Sequence, residues 1–243
     1  MSTFLRIQAA ALETFAGHGF EATGIRQIAE RAGIPTSLLY HYSRSKVDLL
    51  CLLVEDGLER LQQAIDAALA LALLPEEQLV AITAVHVFVH ADNMEMARLL
   101  DGEMRVLGAG DRERVMTRRD AIDAAWRRIL ADGVAEEVFD PGDADATRLA
   151  LIRMCNGVAT WYSPGGRLPV QAVAREFADL ALGAVRARRG GRGLRISNVE
   201  RPDLAAVHAA VQQIHAGMPG GGAGTINGRS AVLAGPPATR RRQ

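Results

Sequence analysis

Six side chains within residues 23–46 suit hydrogen bonding to a polyanion: Thr23, Thr36, Ser37, His41, Tyr42 and Lys46. Thr36, Ser37 and His41 can exchange hydrogen bonds with base edges. Thr23, Tyr42 and Lys46 suit phosphate oxygens, which accept from hydroxyl and ammonium groups alike. A second set is spread over residues 86–161. His86 and His90 stand four apart in the run HVFVH, so a helix would present both imidazoles to one ion. The glutamate that a zinc-protease helix needs after its first histidine is missing, which leaves metal-responsive control as the alternative use of this pair. No metal or other cofactor is assigned. His86, His90, Met94, Met104, Trp126 and Trp161 also suit the wall of a ligand pocket, as do Val89 and Met154, although methionines and tryptophans fill ordinary cores too. Glycine-rich phosphate loop, nucleophile elbow and supported Cys–His pair are all missing, so an enzyme is not expected. Cys51 and Cys155, far apart and within apolar helical patterns, read as buried structural thiols.

The elements that must carry the first set follow from spacing. Phe4, Ile7, Ala11 and Phe15 form a helical stripe that ends at Gly19-Phe20. Ile25, Ile28, Ala29 and Ala32 recur with the same period after Thr23, whose hydroxyl is a candidate N-cap, giving a helix over 24–31. Gly33 allows a sharp turn through positive φ, and Pro35 leads into a second helix over 36–42. Ala29 is small enough for two helices to cross closely, Leu39 can cover it, and Tyr40 is assigned to the core. Ser43-Arg44-Ser45-Lys46 then starts a new helix. This is the pattern of a helix-turn-helix, whose second helix enters the major groove of DNA. Arg6 is either a phosphate contact or a solvated side chain.

The run IRQIAERAGIPTSLLYHYSRSK resembles the DNA-binding signature of TetR-type transcriptional repressors, over about the first fifty residues. Two positions depart from that pattern: Pro35 stands where a Ser or Thr cap is usual, and Ser43 where a Phe is usual. The second departure removes an apolar anchor, so a looser joint to the next helix is expected.

The chain has 243 residues, 49% hydrophobic and 23% charged, enough for a sizeable core in one or two domains. It lacks an apolar run of 18 residues and the charged-then-apolar order of a signal peptide, so a cytoplasmic protein with no membrane partner is expected. Net charge is zero, but ten Arg and two acidic residues follow position 185. Residues 1–50 hold five basic and four acidic residues, a weak electrostatic footprint for a DNA reader.

Helical stripes predict a long lever over about 45–72, a helix opened by Pro75-Glu76-Glu77, a short one near 94–100, and a helix over about 111–137. Two more, over 144–162 and 169–189, close the body, the first apolar round much of its circumference. Paired across two chains they would make a four-helix dimer interface, which is also where TetR-type proteins dimerise. The expected architecture is therefore all-α: a three-helix head over 1–46, a helical ligand-binding and dimerisation domain over 47–189, and a flexible, basic, Gly-rich tail over 190–243 with one short helix near 202–215. The segment 101–185 also resembles effector domains of actinobacterial TetR-type repressors of fatty-acid and steroid catabolism, several of which respond to acyl-CoA thioesters. That resemblance implies an Arg and, four residues on, a Trp against the ligand; Arg153 stands here, but Gly157 occupies the Trp place. Arg153 then reads as an anion anchor or as the partner of an acid such as Asp101 or Glu103. The resemblance implies a repressor that binds double-stranded DNA as a homodimer and is released by a small-molecule effector. The alternative is a helical dimeric module without DNA binding.

Overall fold

The computed structural model describes residues 2–102 and 104–216, whose regular elements are helices apart from one hairpin of two-residue strands. Helix α1 (Thr3–His18) starts at Ser2, whose hydroxyl accepts from the Leu5 amide at 3.3 Å. It buries Ile7, Ala11 and Phe15 and packs against α2 (Ile25–Arg31), which in turn packs against α3 (Thr36–Tyr42). Between α2 and α3, Gly33 takes φ +63°, and the Ile34 amide reaches back to the Ala29 carbonyl at 3.0 Å. That six-residue closure ends α2 and turns the chain, as its glycine predicts. Arg6 donates to the Ala32 and Gly33 carbonyls at 2.5 and 2.9 Å, satisfying the negative end of α2 from within the head.

Helix α4 (Lys46–Leu69) begins with Ser45 accepting from the Asp48 amide at 3.0 Å while Asp48 accepts from the Arg44 amide at 2.9 Å. Ser43 is buried and donates to the Ser45 carbonyl at 2.7 Å. The joint that Ser43 was expected to loosen is therefore pinned by polar contacts in place of an apolar one.

The centre of the body is α5 (Pro75–Asp92), buried along nearly its whole length. Its run of β-branched residues disfavours an isolated helix, and burial on every side overrides that preference. Glu77 accepts from the Leu73 and Leu74 amides at 2.8 and 3.1 Å and so closes its N-terminus. Around it pack α4, α6 (Met94–Gly102), α7 (Ala109–Ala135), α8 (Ala144–Asn156), α9 (Val158–Trp161) and α10 (Val170–Ala184). The helix expected over 144–162 is broken at Gly157, and α8 is not the all-round buried helix: Leu149 is 53% exposed. Gly133 lies against the Phe139 ring, where a Cβ would sit 1.9 Å from a ring carbon, so α7 ends under that ring.

After α10 the chain expected to be flexible from residue 190 first forms a hairpin, and the short helix expected near 202–215 is present over Leu204–His215. Arg186 takes φ +49° and stops the helix, and the strands Arg188–Arg189 and Arg192–Gly193 pair antiparallel. Gly190 and Gly191 both have positive φ, as the two-residue hairpin turn requires. Arg189 grips the buried Glu76 through two bonds of 2.6 and 2.9 Å. Helix α11 (Leu204–His215) then lies on α4 and α5, burying Val207 and Val211. Residues 217–243, with Arg240, Arg241 and Arg242, fall outside the described residues.

Candidate nucleic-acid interface and ligand pocket

Helix α3 holds itself by Leu39, which is fully buried, and turns the rest of its surface outward. Ser37, Tyr40, His41 and Tyr42 are exposed and Thr36 is half-buried, so the three residues proposed for base edges lie on the free side of one short helix. Tyr40 is 53% exposed, which corrects its assignment to the core. Tyr42 stacks on Phe4 at 5.9 Å between ring centres, a contact that fixes its ring beside the start of α1.

Two of the proposed phosphate residues face inward instead. Thr23 is buried, and its hydroxyl donates to the Gly19 and Thr14 carbonyls at 2.8 and 3.3 Å. The N-cap of α2 is Gly24, without a side-chain bond. Thr23 thus ties α1 to the turn, and no spacing argument shows which way a hydroxyl at a helix entrance will rotate. Lys46 donates to the Phe20 and Glu21 carbonyls at 2.7 and 3.1 Å with its ammonium 4.4 Å from the centre of the Phe20 ring. It clamps α4 onto the head. Arg31 pairs with Glu13 at 2.5 Å. Of the head's basic groups, Arg26 and Arg44 are the exposed guanidinium groups without an internal partner among the described residues, and Arg44, beside Tyr42, was missed from sequence.

In the body a cavity of about 240 Å³ opens between α4, α5, α6, α7, α8 and α11. Of the proposed ligand residues it is lined by His86, Val89, His90 and Arg153, while Met154 is not in the lining. Arg153 is exposed at its mouth, so the cost of burying an unpaired guanidinium does not arise there. Trp126 stands behind the wall, wholly buried, with its ring edge-on to His86 at 5.3 Å and its Nε1 without a hydrogen-bond partner. Met94 lies half-buried at the start of α6 outside the cavity, where Met96 faces instead. Gly157 marks the break between α8 and α9 and is not in the lining. Trp161 is 53% exposed, outside the lining, with its ring against Phe177. Met104 sits in a short 3-10 turn, and its side chain is outside the described residues. Spacing did not single out Asn93, Asn156, Arg119 or His215, which do line the cavity.

Each of the three pocket histidines bonds through Nδ1 to the carbonyl one helical turn earlier: His86 to Ile82 at 3.0 Å, His90 to His86 at 2.7 Å and His215 to Val211 at 2.9 Å. A carbonyl only accepts, so Nδ1 carries the hydrogen in all three. Burial, with His90 nearby, holds the His86 pKa down to about 3, and burial lowers that of His215. The rings of His86 and His90 lie nearly parallel, 6.0 Å apart, and no group of three or more His, Cys, Asp or Glu able to hold a metal occurs among the described residues. Burial also pushes the Cys51 thiol up to about 11, with Glu55 adding to it, and raises that of Cys155. Both stay protonated at neutral pH, as structural thiols do.

Comparison with known proteins fits this two-part architecture. Residues 7–51 match the family described as bacterial regulatory proteins, tetR family, and residues 72–185 match the tetracyclin repressor-like C-terminal domain. The HTH-type transcriptional repressor KstR2 of Mycolicibacterium smegmatis is 30% identical over 189 residues, covering 75% of this chain and 90% of that protein. A tetR-family regulatory protein from Rhodococcus RHA1 superposes with a TM-score of 0.72 at 26% identity, over 78% of this chain and 100% of that one. AibR, solved in complex with isovaleryl coenzyme A and operator DNA, shares the fold with a TM-score of 0.68 at 17% identity, over 74% of this chain and 97% of that one. None of the described helices is long and apolar enough to cross a membrane. With a reading helix presented by a three-helix head and a cavity inside the helical body behind it, the chain belongs to the TetR family of bacterial transcriptional regulators, which are not enzymes.

Proposed function

We propose that the protein is a cytoplasmic repressor that binds a palindromic operator as a homodimer and leaves it when a small molecule, of the acyl-CoA or steroid-CoA thioester class, fills the body cavity. One observation carries this reading: α4 is both the root of the head and a wall of the cavity. Lys46, its first residue, holds the Phe20 and Glu21 carbonyls, and Gly57, Leu58 and Leu61, in its middle, line the cavity. A helix of 24 residues spans about 36 Å, so a ligand that shifts its middle also tilts the head at its end. Half-sites one turn of DNA apart, about 34 Å, tolerate little of that movement. A ligand that prefers one head spacing over another is then an effector by linkage.

For the homodimer, support comes from α8, α9 and α10, where Leu149, Trp161 and Leu180 are each more than half exposed. Large apolar side chains left this exposed mark association surfaces, and a second copy of this chain supplies a matching one. Support for the ligand class comes from the fold shared with AibR and its bound thioester, and from Arg153 and Arg119 at the cavity, which suit phosphate or carboxylate groups.

The weak charge of the head favours a second reading, a dimeric binding module without DNA. Most of its cations are spent internally, on the Ala32, Gly33, Phe20 and Glu21 carbonyls and on Glu13. Fluorescence anisotropy of a labelled duplex from the gene's own upstream region separates the two. Retention at moderate salt, reversed by a coenzyme A thioester, is the expected result. Absence of retention at every salt concentration would establish the module instead.

A further inference from the structure

Helix α11 lies beyond residues 72–185, the part that matches the family's C-terminal domain, yet it forms part of the cavity wall through His215. Its seat is built rather than incidental. His208 is bonded to Asp92 at 2.9 Å and stacked on Phe88 at 4.2 Å, and Arg60 of α4 donates to the Ile214 carbonyl at 2.8 Å. His215 itself is 5% exposed.

Four polar side chains of the lining, His86, His90, Asn93 and His215, are more than nine-tenths buried. With Nδ1 protonated and the rings neutral, His86 and His215 each retain Nε2 as an acceptor. Asn93 lines the cavity, is 8% exposed, and donates its Nδ2 to the Val89 carbonyl at 3.3 Å. Its Oδ1 is buried with no hydrogen-bond partner. A buried carbonyl oxygen left without a donor is costly, and a ligand that brings one relieves that cost on binding. The surrounding wall, with Leu58, Leu61, Met96 and Ile152, is apolar.

We propose that α11 is a working part of the effector site and that these buried polar side chains select a ligand bearing a hydroxyl at the end of an apolar chain. The hydroxyl donates to Asn93 Oδ1, with His86 and His215 as neighbouring acceptors. This inference rests on the cavity being the effector site, but not on the operator or on coenzyme A.

Calorimetric titration of the full-length protein without DNA, with octanoate and ω-hydroxyoctanoate as probes, tests it. The hydroxylated acid is expected to bind about three- to tenfold more tightly, the effect of one added neutral hydrogen bond. Asn93→Leu and His215→Leu are each expected to reduce that preference, and His215→Gln, which keeps an acceptor, to restore part of it. Equal affinity for the two acids, binding of neither, or a preference untouched by both leucine variants would each overturn the proposal. The wild-type comparison needs no variant to fold. Because no DNA is present, failure of the operator reading leaves these outcomes unchanged, and thioester-driven release of DNA with no hydroxyl preference would sink this inference alone.

Discussion

Lys46 is the chain's single lysine, and its ammonium is shared between two carbonyls and an aromatic face rather than held out to solvent. Lys46→Ala is therefore expected to lower the stability of the head by about 1–2 kcal/mol, the scale of charge-assisted bonds and a partly exposed cation–π contact. The salt dependence of DNA binding should stay nearly as it was. A slope smaller by about one unit with an unchanged melting temperature would return Lys46 to the phosphate contacts. His86 makes a second prediction. Its pKa is about 3 in the fold against 6.5 in an open chain, so below 6.5 the unfolded state takes up a proton that the folded state refuses. Stability is then full above pH 6.5 and falls as pH drops from 6.5 towards 3, by at most about 1.4 kcal/mol per pH unit for one group. Melting temperatures measured from pH 7 to 5 should decline, and His86→Asn should flatten that decline; parallel curves would contradict it. This is the scale at which the sequence was least legible. Thr23, Lys46 and Tyr40 have side chains whose direction depends on which carbonyl or face the folded turn offers, and neither composition nor spacing contains that information.

The helices themselves were readable, because burial of one face imposes a period that α1, α4 and α10 display plainly. The turn of the helix-turn-helix was equally readable, since Gly33 needs its positive φ and Ala29 its small side chain. Gly157 hid a break inside an otherwise continuous apolar pattern. The short helix near 202–215 was read from its stripe, but the hairpin before it was misread for a physical reason: a Gly-rich, Arg-rich composition signals mobility, whereas here paired glycines make a hairpin turn and Arg189 anchors it on Glu76. Arg189→Ala leaves Glu76, 3% exposed, without its countercharge. The expected cost is about 1–2 kcal/mol, less than for a fully buried pair because Arg189 is 43% exposed. Chemical denaturation would show it as a lower midpoint at an unchanged slope; no change would mean that the hairpin does not hold α5.

At the scale of the whole molecule, assembly and control depend on different faces. Leu180, on α10, is 56% exposed in the single chain. Leu180→Asp is expected to shift sedimentation from dimer to monomer while leaving thermal unfolding of the dilute protein within about 0.5 kcal/mol, as for other surface substitutions. A dimer that persists would place the interface elsewhere. The pocket was only partly legible because it is assembled from six helices, and periodicity along one helix does not say which neighbour closes over it. His86 and His90 were found by chemistry and Arg153 through the family resemblance, whereas Asn93 and His215 needed the fold.

The measurement closest to the central claim is anisotropy of a labelled promoter duplex with three full-length proteins, wild type, Ser37→Glu and His41→Glu, beside a chain truncated after residue 216. If α3 reads DNA, each acidic substitution on its exposed face abolishes sequence-specific retention by unpaired repulsion, and the truncation, which removes Arg229, Arg240, Arg241 and Arg242, leaves that retention in place. Retention that survives both α3 substitutions and vanishes on truncation would assign DNA binding to the C-terminal arginines and contradict the account.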